Sequence, residues 1–351
     1  MYKIAIAGAS SLIARELKDA LGESPLATAN FVLLDEENAP EPSVGRLDRV
    51  GDEATFVQAL ADDAFEHADF TFFCGPEEMT RRRWIDALRA GSSVIDLSGA
   101  LDQEKAVVVR APWLGGQQSD ARGVDLETPA VVPAHPAALV LALLLERLQS
   151  AVPVRFAAAT VMLPASELGR AAMDELHQQT VNLLSFQSLP QAVYDTQAAY
   201  NLLGGLGESA AVSLPNVEAR IRRHYAALAG GPGNRAPELA LQVIHAPVFH
   251  GHTFLIAIEL ERPLELAALE EALCGEHVEL VREDADSPSN LAATGQDNVL
   301  VRLRPDTGAR DPEQISRLWM WAASDNLRLN AQNAVQCAMD LRRLRPQGKV
   351  Q

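Results

Sequence analysis

Apolar and polar positions along the first 110 residues switch between short continuous apolar runs and helical spacing. The apolar runs predict four strands, and apolar side chains three to four residues apart predict two helices between them. The predicted strands are Tyr2–Ala7, Phe31–Leu34, Asp69–Phe73 and Ser93–Leu97, and the predicted helices are residues 11–22 and Glu77–Ala90. Alternating strands and helices indicate parallel βαβ units wound right-handed. We therefore predict an α/β fold that begins with a Rossmann-like, doubly wound parallel sheet, which binds ligands at the carboxyl ends of its strands.

After about residue 150 the pattern changes to longer strands without strict alternation. The predicted strands are Val154–Leu163, Leu239–His245, Thr253–Glu261, His277–Arg282 and Val299–Leu303. The predicted helices are Leu168–Leu184, Leu264–Leu273 and most of Pro312–Leu344, and Gly204–Pro215 is predicted to be a loop. This order indicates a second, α+β domain on a mixed or antiparallel sheet.

The composition limits the classes of partner. The chain has 351 residues and a formal net charge of −17. At roughly 150 residues per domain, this length predicts two domains. The negative charge argues against nucleic acid or an anionic membrane as partner, because their phosphates would be repelled.

The sequence also indicates a cytoplasmic protein. No apolar run reaches the ~18 residues that a membrane span needs, and the N-terminus lacks the pattern of a signal peptide. The three cysteines, Cys74, Cys274 and Cys337, lie far apart in sequence. They form neither a disulfide framework nor a CxxC metal pair, which is typical of a reducing compartment.

The turn between the first strand and the first helix is a candidate phosphate site. Backbone N–H groups at a glycine-containing turn and at a helix N-terminus can receive a dinucleotide phosphate. The candidate cofactor-binding residues are Gly8, Ser10, Ser11, Leu12 and Ile13. The alternative is a plain strand-to-helix turn capped by Ser10 or Ser11.

Asp35 follows the second predicted strand and is the last candidate for cofactor binding. A carboxylate there can accept hydrogen bonds from a ribose 2′-hydroxyl and would repel a 2′-phosphate, so the cofactor, NAD or NADP, is expected to be NAD. The alternative is a solvated acidic face, because acidic residues far outnumber basic ones between Asp35 and Glu66.

Four of the eight histidines fall in two short segments. His135 lies in VVPAHPAALV, at a turn before an apolar helix that starts near Pro136. His245, His250 and His252 lie in HAPVFHGH. Histidine is commonly structural, but it also serves as a general base or a metal ligand. No HxxxH pair is present, so the local signal for a metal is weak.

Six segments spread along the chain carry a recognisable combination of motifs. They are GASSLIA near the start, VIDLSGAL at Val94–Leu101, VVPAHPAAL around His135, SELGRAAMDEL at Ser166–Leu176, APVFHGHT at Ala246–Thr253 and ASDNLRLNAQNAVQ at Ala323–Gln336. With these motifs the chain resembles the aspartate-semialdehyde dehydrogenase family, and within it the Usg-like paralogues that lack the catalytic cysteine. The resemblance implies a dinucleotide-binding domain of residues 1–133 completed by about 320–351. It also implies a substrate and dimerisation domain of residues 134–319, and a homodimer.

The resemblance also implies a reaction whose parts can be checked by position. An active member of the family reduces aspartyl phosphate with NADPH through a cysteine thioester. The family cysteine falls at His135, the arginine that binds the substrate phosphate falls at Asp102, and the second substrate arginine falls at His245. His252 falls at the position of the general base and is retained.

These replacements remove the thiolate nucleophile, place a negative charge where a phosphate would bind, and delete a bidentate carboxylate fork. We therefore expect that the chain lacks aspartate-semialdehyde dehydrogenase activity and is a pseudoenzyme or binds an unknown small molecule. The alternative is an active NAD(P)-dependent oxidoreductase that acts on another aldehyde or acyl phosphate in amino-acid biosynthesis, with His252 as acid/base. A third hypothesis is a zinc site formed by His135, His245 and His252.

Overall fold

The computed structural model describes residues 1–37, 43–51, 53–114, 124, 128–229, 236–282, 284–306 and 314–344. The chain divides into two compact units. Unit 1 comprises residues 1–134 and 330–351, and unit 2 comprises residues 135–329. The sequence places these boundaries after residue 133 and near residue 320.

Unit 1 is built on an eight-stranded sheet. Its strands are β1 Lys3–Ala7, β2 Asn30–Asp35, β3 Leu47–Val50, β4 Glu53–Ala59, β5 Phe70–Phe73, β6 Ser93–Asp96, β7 Val108–Arg110 and β8 Ala130–Pro133, in the spatial order β3-β4-β2-β1-β5-β6-β8-β7. Helices α1 (Leu12–Gly22) and α2 (Glu77–Arg89) connect strands, and Pro112–Leu114 forms a 3-10 helix. All neighbouring strands pair in parallel except β3 and β4. The central strands β1 and β5 are almost entirely buried, which explains their continuous apolar runs.

Unit 2 is built on a six-stranded mixed sheet. Its strands are β9 Val154–Leu163, β10 Leu239–His245, β11 His252–Leu264, β12 Val278–Leu280, β13 Val299–Pro305 and β14 Ile315–Ser324, in the spatial order β10-β9-β11-β14-β13-β12. The outer pairs β10/β9 and β12/β13 are parallel, and the inner pairs are antiparallel. The predicted fold class, a parallel α/β sheet followed by a mixed sheet domain, is thus confirmed.

Six α-helices follow α2 in the described part of the chain. They are α3 Pro136–Ala151, α4 Arg170–Leu184, α5 Leu214–Ala229, α6 Leu266–Leu273, α7 Asn290–Ala293 and α8 Asn326–Leu344, with a 3-10 helix at Ala165–Leu168. None of the helices in the described part of the chain has the length and apolarity of a membrane span.

The prediction of helix over most of Pro312–Leu344 is wrong for its first part. Residues 311–313 lie outside the described residues, and β14 occupies Ile315–Ser324. Leu318 and Met320 are buried while Arg317 and Trp319 are partly exposed, which is the two-residue period of a strand. The helical spacing begins only at Asn326, after Asp325 accepts hydrogen bonds from the first backbone N–H groups of α8.

The C-terminal part of α8 completes the core of unit 1. Small and aliphatic side chains three to four residues apart pack into the cluster that contains Ile4, Leu17 and Phe72. These side chains are Ala331, Ala334, Val335, Ala338 and Leu341. The apolar stripe on this helix therefore covers one face of the parallel sheet.

Candidate functional site

One carboxylate, that of Glu167, joins two of the predicted histidines in unit 2. His135 Nε2 lies 2.8 Å from Glu167 Oε1, and His252 Nε2 lies 3.2 Å from Glu167 Oε2. The two rings stack with their centroids 5.9 Å apart and their planes 14° from parallel. Both histidines are buried. The structure thus brings His135 and His252 together around an acid that the sequence patterns did not indicate.

His135 is the N-cap residue of α3. Its Nδ1 accepts a hydrogen bond from the Ala137 N–H at 3.2 Å. Because a neutral imidazole has one acceptor nitrogen and one N–H, the proton of this ring is assigned to Nε2, beside Glu167. Its backbone N–H donates to Nδ1 of His224, a buried histidine on α5, at 2.8 Å. Nδ1 of His135 is therefore occupied as an acceptor, and Nε2 lies within 2.8 Å of the Glu167 carboxylate.

Burial and neighbouring charges keep the imidazole of His135 neutral and the carboxylate of Glu167 ionised. Burial lowers the pKa of His135 to about 4, against the upward pull of the neighbouring Glu167 carboxylate. Burial alone would raise the pKa of Glu167, but His135 and His252 hold it well below its ordinary value. At neutral pH Glu167 therefore carries the charge and His135 does not.

Asn326 ties the turn that carries Glu167 to the loop that precedes His252. Its Nδ2 donates to Glu167 Oε2 at 3.1 Å, and its Oδ1 accepts from Ser166 Oγ and from the Gly251 N–H, both at 3.2 Å. The Ser166 N–H also donates to the carbonyl of Phe249 at 2.9 Å. Three of the resemblance motifs, around residues 166, 251 and 326, thus meet in one hydrogen-bonded cluster.

Gly251 sets the direction in which the chain enters β11. Its φ is +85°, and a Cβ there would lie 2.8 Å from the carbonyl oxygen of Asn290. A larger residue would be strained and would collide with backbone. His250, next to it, contributes its carbonyl oxygen to Asn290 Nδ2 at 3.1 Å.

His245 ends β10 and packs elsewhere. Its ring lies 4.9 Å from that of Tyr194, and burial lowers its pKa to about 4. Within the described ranges, no group of three or more His, Cys, Asp or Glu side chains is arranged to hold a metal ion. The zinc set hypothesised from His135, His245 and His252 is therefore not assembled there. The reason is the position of His245, whose ring packs against Tyr194 and is not among the groups that contact Glu167 beside His135 and His252.

Tyr194 is held by buried polar side chains of α4. The Glu175 carboxylate accepts from the backbone N–H of Val193 at 2.7 Å and of Tyr194 at 3.1 Å. The Gln179 amide bonds to four backbone groups of the following loop, the carbonyls of Pro190 and Thr196 and the N–H groups of Ala198 and Ala199. The motif SELGRAAMDEL therefore supplies one anchor of this loop, Glu175, and Gln179 on the next turn of the same helix supplies the other.

The turn after β1 in unit 1 has the geometry of a strand-to-helix crossover. Gly8 has a φ of +85°, and a Cβ there would lie 2.3 Å from the backbone nitrogen of Gly75. The N–H groups of Gly8 and Ala9 donate to the carbonyl of Leu34, and that of Ser11 donates to the carbonyl of Gly8. These turn amides are thus occupied within the protein.

Two candidate donors for a phosphate remain at the start of α1. Ser11 is the N-cap, and its hydroxyl accepts from the Ala14 N–H at 3.1 Å, as the alternative interpretation of the turn predicts. The N–H groups of Leu12 and Ile13 belong to the first helical turn and have no intrahelical acceptor. This helix N-terminus fits a dinucleotide phosphate through these two amides.

Asp35 is buried and organises the same turn. Its carboxylate accepts from the Ser10 N–H at 3.1 Å, the Ser43 hydroxyl at 2.7 Å and the Glu36 N–H at 3.0 Å. Three of about four acceptor positions are thus filled from within the protein, which leaves one for a ribose hydroxyl. The next acid, Glu36, lies 2.6 Å from Arg82 of α2.

Asp102 lies in unit 1, in the loop after β6. The buried Asp96 shapes this loop, since its carboxylate accepts from the N–H groups of Ser98 at 2.8 Å and Leu101 at 2.9 Å. The N–H of Asp102 donates to the carbonyl of Gly99 at 3.3 Å. The motif VIDLSGAL therefore ends in a turn that the buried carboxylate of Asp96 holds in place, and Asp102 follows this turn.

The three cysteines lie in other parts of the fold. Cys74 and Cys337 belong to unit 1 and are buried, and burial raises the pKa of both thiols. Cys274 follows α6 and is exposed. The cluster of Glu167, His135 and His252 contains no thiol.

Comparison with known proteins gives a family for both units. The model of the semialdehyde dehydrogenase NAD binding domain matches residues 3–135, and that of the semialdehyde dehydrogenase dimerisation domain matches residues 145–329. A protein of Azotobacter vinelandii described as a USG-1 protein homolog is 31% identical, over 95% of this chain and 96% of its own. An aspartate-semialdehyde dehydrogenase of Rickettsia bellii is 25% identical, over 97% of both chains.

Among solved structures, aspartate semialdehyde dehydrogenase II of Vibrio cholerae has the same fold, with a TM-score of 0.83, 23% identity and 98% of both chains covered. The resemblance to the semialdehyde dehydrogenase family is confirmed. The chain belongs to the semialdehyde dehydrogenase family and carries both its NAD binding domain and its dimerisation domain.

Proposed function

We propose that this chain is a homodimeric member of the family that has lost the thioester chemistry of aspartate-semialdehyde dehydrogenase. The state of His135 carries the proposal. The resemblance puts the family nucleophile at this position, where the imidazole Nδ1 already accepts the Ala137 N–H and Nε2 faces Glu167. No lone pair is left to attack an acyl phosphate, and the low pKa of the ring keeps it neutral.

The two other replaced positions support the same conclusion. Asp102 brings a carboxylate to the position of the phosphate-binding arginine, and repulsion disfavours a phosphate there. His245 is buried against Tyr194 with a pKa of about 4, so it is uncharged at neutral pH and cannot pair with a substrate carboxylate. The buried thiols of Cys74 and Cys337, with raised pKa values, are poor substitutes for the missing nucleophile.

The direct test is the NADP- and phosphate-dependent oxidation of aspartate semialdehyde, followed by NADPH absorbance beside an active aspartate-semialdehyde dehydrogenase. We expect no turnover above the buffer rate. We expect the same of a His135→Cys variant, because Asp102 and His245 are still in place. Turnover by the unmodified chain together with an enzyme-bound thioester would overturn the proposal.

A second candidate function is that of an NAD(P)-dependent oxidoreductase on another aldehyde or acyl phosphate. It is favoured by His252, which stays at the general-base position with Nε2 beside Glu167 and Nδ1 without a hydrogen-bond partner in the described structure. When bound, the nicotinamide would supply hydride transfer, and the Leu12 and Ile13 amides would hold its phosphate.

Calorimetric titration with NAD and NADP tests this second candidate. We expect NAD to bind more tightly, because Asp35 and Glu36 place acids at the end of β2. A lack of binding of either nucleotide at millimolar concentration would exclude it.

The homodimer is supported by the match of residues 145–329 to a dimerisation domain. Two-fold symmetry is the usual closed arrangement of such a pair. Light scattering at micromolar concentration should give twice the mass of the chain, and a monomer there would contradict this part of the proposal.

A further inference from the structure

Several buried side-chain polar atoms of unit 2 have no hydrogen-bond partner in the part of the chain that the structure describes, and two of them lie on neighbouring strands of its sheet. They are Nδ1 of His252 and Oγ of Ser324, and the two side chains are 0% and 1% exposed. Buried polar atoms are normally paired, so each such atom calls for a ligand, a water or a function. Neither atom is used by the cluster around Glu167 described above.

The register of the sheet puts these two residues beside each other. In the antiparallel pair β11/β14, His252 is the direct partner of Ser324, and Phe254 is the direct partner of Ala322. Directly opposed side chains project from the same face with Cβ atoms about 4.5–5.5 Å apart. The ring of His252 also meets the ring of Phe254 edge-on at 5.9 Å. The Ser324 hydroxyl therefore lies next to an imidazole whose Nε2 is held by Glu167.

We propose that Ser324, His252 and Glu167 form an acyl-transfer site that hydrolyses short, uncharged acyl esters. With the proton on Nε2 beside Glu167, the Nδ1 lone pair of His252 is available as the base for the Ser324 hydroxyl. A hydroxyl, an imidazole and a carboxylate in this order are the parts of a serine hydrolase, recognised by their roles and not by their sequence positions. Such hydroxyl-to-imidazole contacts are often long before substrate binds.

The surroundings select the class of substrate. Phe254 and Ala322 flank the pair on the same face of the sheet, which suits a short apolar acyl group. The nearby imidazole of His135 is neutral and offers no counter-charge for an anionic substrate. An uncharged ester therefore fits better than a phosphorylated or carboxylated compound.

The reaction balances without a redox partner. Ser324 Oγ attacks the ester carbonyl carbon while its proton passes to His252 Nδ1, and this proton then leaves with the alcohol as the C–O bond breaks. Water next attacks the acyl-serine, gives a proton to His252 and releases the carboxylic acid, after which the proton returns to Ser324 Oγ. Glu167 is a positioning residue that stabilises the imidazolium formed in both steps.

The test uses p-nitrophenyl acetate with the full-length chain and no nucleotide, and follows nitrophenolate release. We expect the Ser324→Ala variant to lose about 100-fold or more in kcat/KM, and the exposed serine variant Ser150→Ala to keep the wild-type rate. Acid-quenched wild type should carry an acetyl group on the peptide that contains Ser324. Circular dichroism of each variant shows that it is folded.

A Glu167→Gln variant tests the positioning role separately. Loss of the carboxylate should lower kcat with little change in KM, because the imidazolium of His252 that forms in both steps loses its counter-charge. Hydrolysis that is unchanged in Ser324→Ala, an acetyl group found only on other residues, or a wild-type rate equal to buffer would each overturn the inference. Since this assay contains no nucleotide, its failure is distinguishable from failure of the proposed loss of thioester chemistry.

Discussion

Acidification from pH 7 to pH 5 is expected to destabilise unit 2 through two buried neutral histidines, His135 and His245. Both have pKa values of about 4 in the folded protein because burial disfavours the imidazolium. In the unfolded chain histidine titrates near pH 6.5. The unfolded state therefore takes up protons first as the pH falls, and the free energy of unfolding decreases. The stabilisation is fully present above pH 6.5 and is lost as the pH falls from 6.5 towards 4.

The size of the effect follows from the same values. A pKa difference of about 2.5 corresponds to about 3.4 kcal/mol for each histidine once the pH is below 4. At pH 5 the loss is about 2 kcal/mol for each group, or about 4 kcal/mol for the pair. A typical domain is stable by only about 5–15 kcal/mol, so a change of this size is easily measured.

Urea unfolding at pH 7, 6 and 5 gives the free energies, with Trp319 and Trp321 as fluorescent reporters of unit 2. Replacing Trp84 and Trp113 of unit 1 by Phe removes the other two tryptophans. A His245→Gln variant should show about half the pH dependence.

A variant of the exposed His177 to Gln should keep the full pH dependence. A free energy of unfolding that stays within about 1 kcal/mol between pH 7 and pH 5 would refute the reasoning about buried neutral histidines.

Two further predictions concern backbone positions that the structure explains. Gly8→Ala should destabilise unit 1 by about 3 kcal/mol or more, because its Cβ would lie 2.3 Å from the Gly75 nitrogen. Gly91→Ala is the control, because Gly91 has a similar φ of +84° but open space where its Cβ would lie, and this change should lower the free energy of unfolding by only about 1–2 kcal/mol. Thermal unfolding of both variants measures the difference. Gln179→Ala should cost about 3 kcal/mol or more and open the loop after α4 to proteolysis, since four backbone groups lose their partner. Its exposed neighbour Gln178→Ala is the control, and equal cleavage of both variants would contradict the anchoring role.

The strands of unit 1 that could be predicted are those with an unbroken apolar run. The central strands β1, β2, β5 and β6 are buried on both faces, so their sequences carry the signal without help from neighbours. The hairpin of β3 and β4 was missed because most of its side chains are exposed at the sheet edge, which leaves little apolar contrast.

In unit 2 the sequence wrongly predicts a helix where β14 lies and a loop where α5 begins. The strand contains Leu318, Trp319, Met320 and Trp321 in succession, so apolar residues on both faces blur its two-residue period. Helix α5 begins directly after a glycine- and serine-rich loop, and the loop signal was extended to its start at Leu214.

The candidate site was predictable only in part. His135 and His252 stand out as histidines beside Pro and Gly. Glu167 and His224 do not, because an acid in a short helical turn and a histidine on an amphipathic helix are locally indistinguishable from surface residues. Their roles come from contacts between residues that lie about 30 to 90 positions apart in the sequence, which local patterns do not encode. The Ser11 cap was foreseen because N-capping is local, whereas the bond of Asp35 to Ser43 depends on how the chain returns after β2.

The contribution of α8 to the core of unit 1 has a consequence for synthesis on the ribosome. The first 134 residues emerge first, yet the sheet face that Val335 and Leu341 cover stays open until the last helix is made. Residues 135–329 form a contiguous unit and can finish folding earlier, although they are translated later. Until then, apolar side chains of the N-terminal sheet and its helix, such as Leu17 and Phe72, remain exposed. Chains with such exposed apolar surface are prone to aggregate and depend on chaperones. A premature stop shortly before residue 330 would leave that face open permanently.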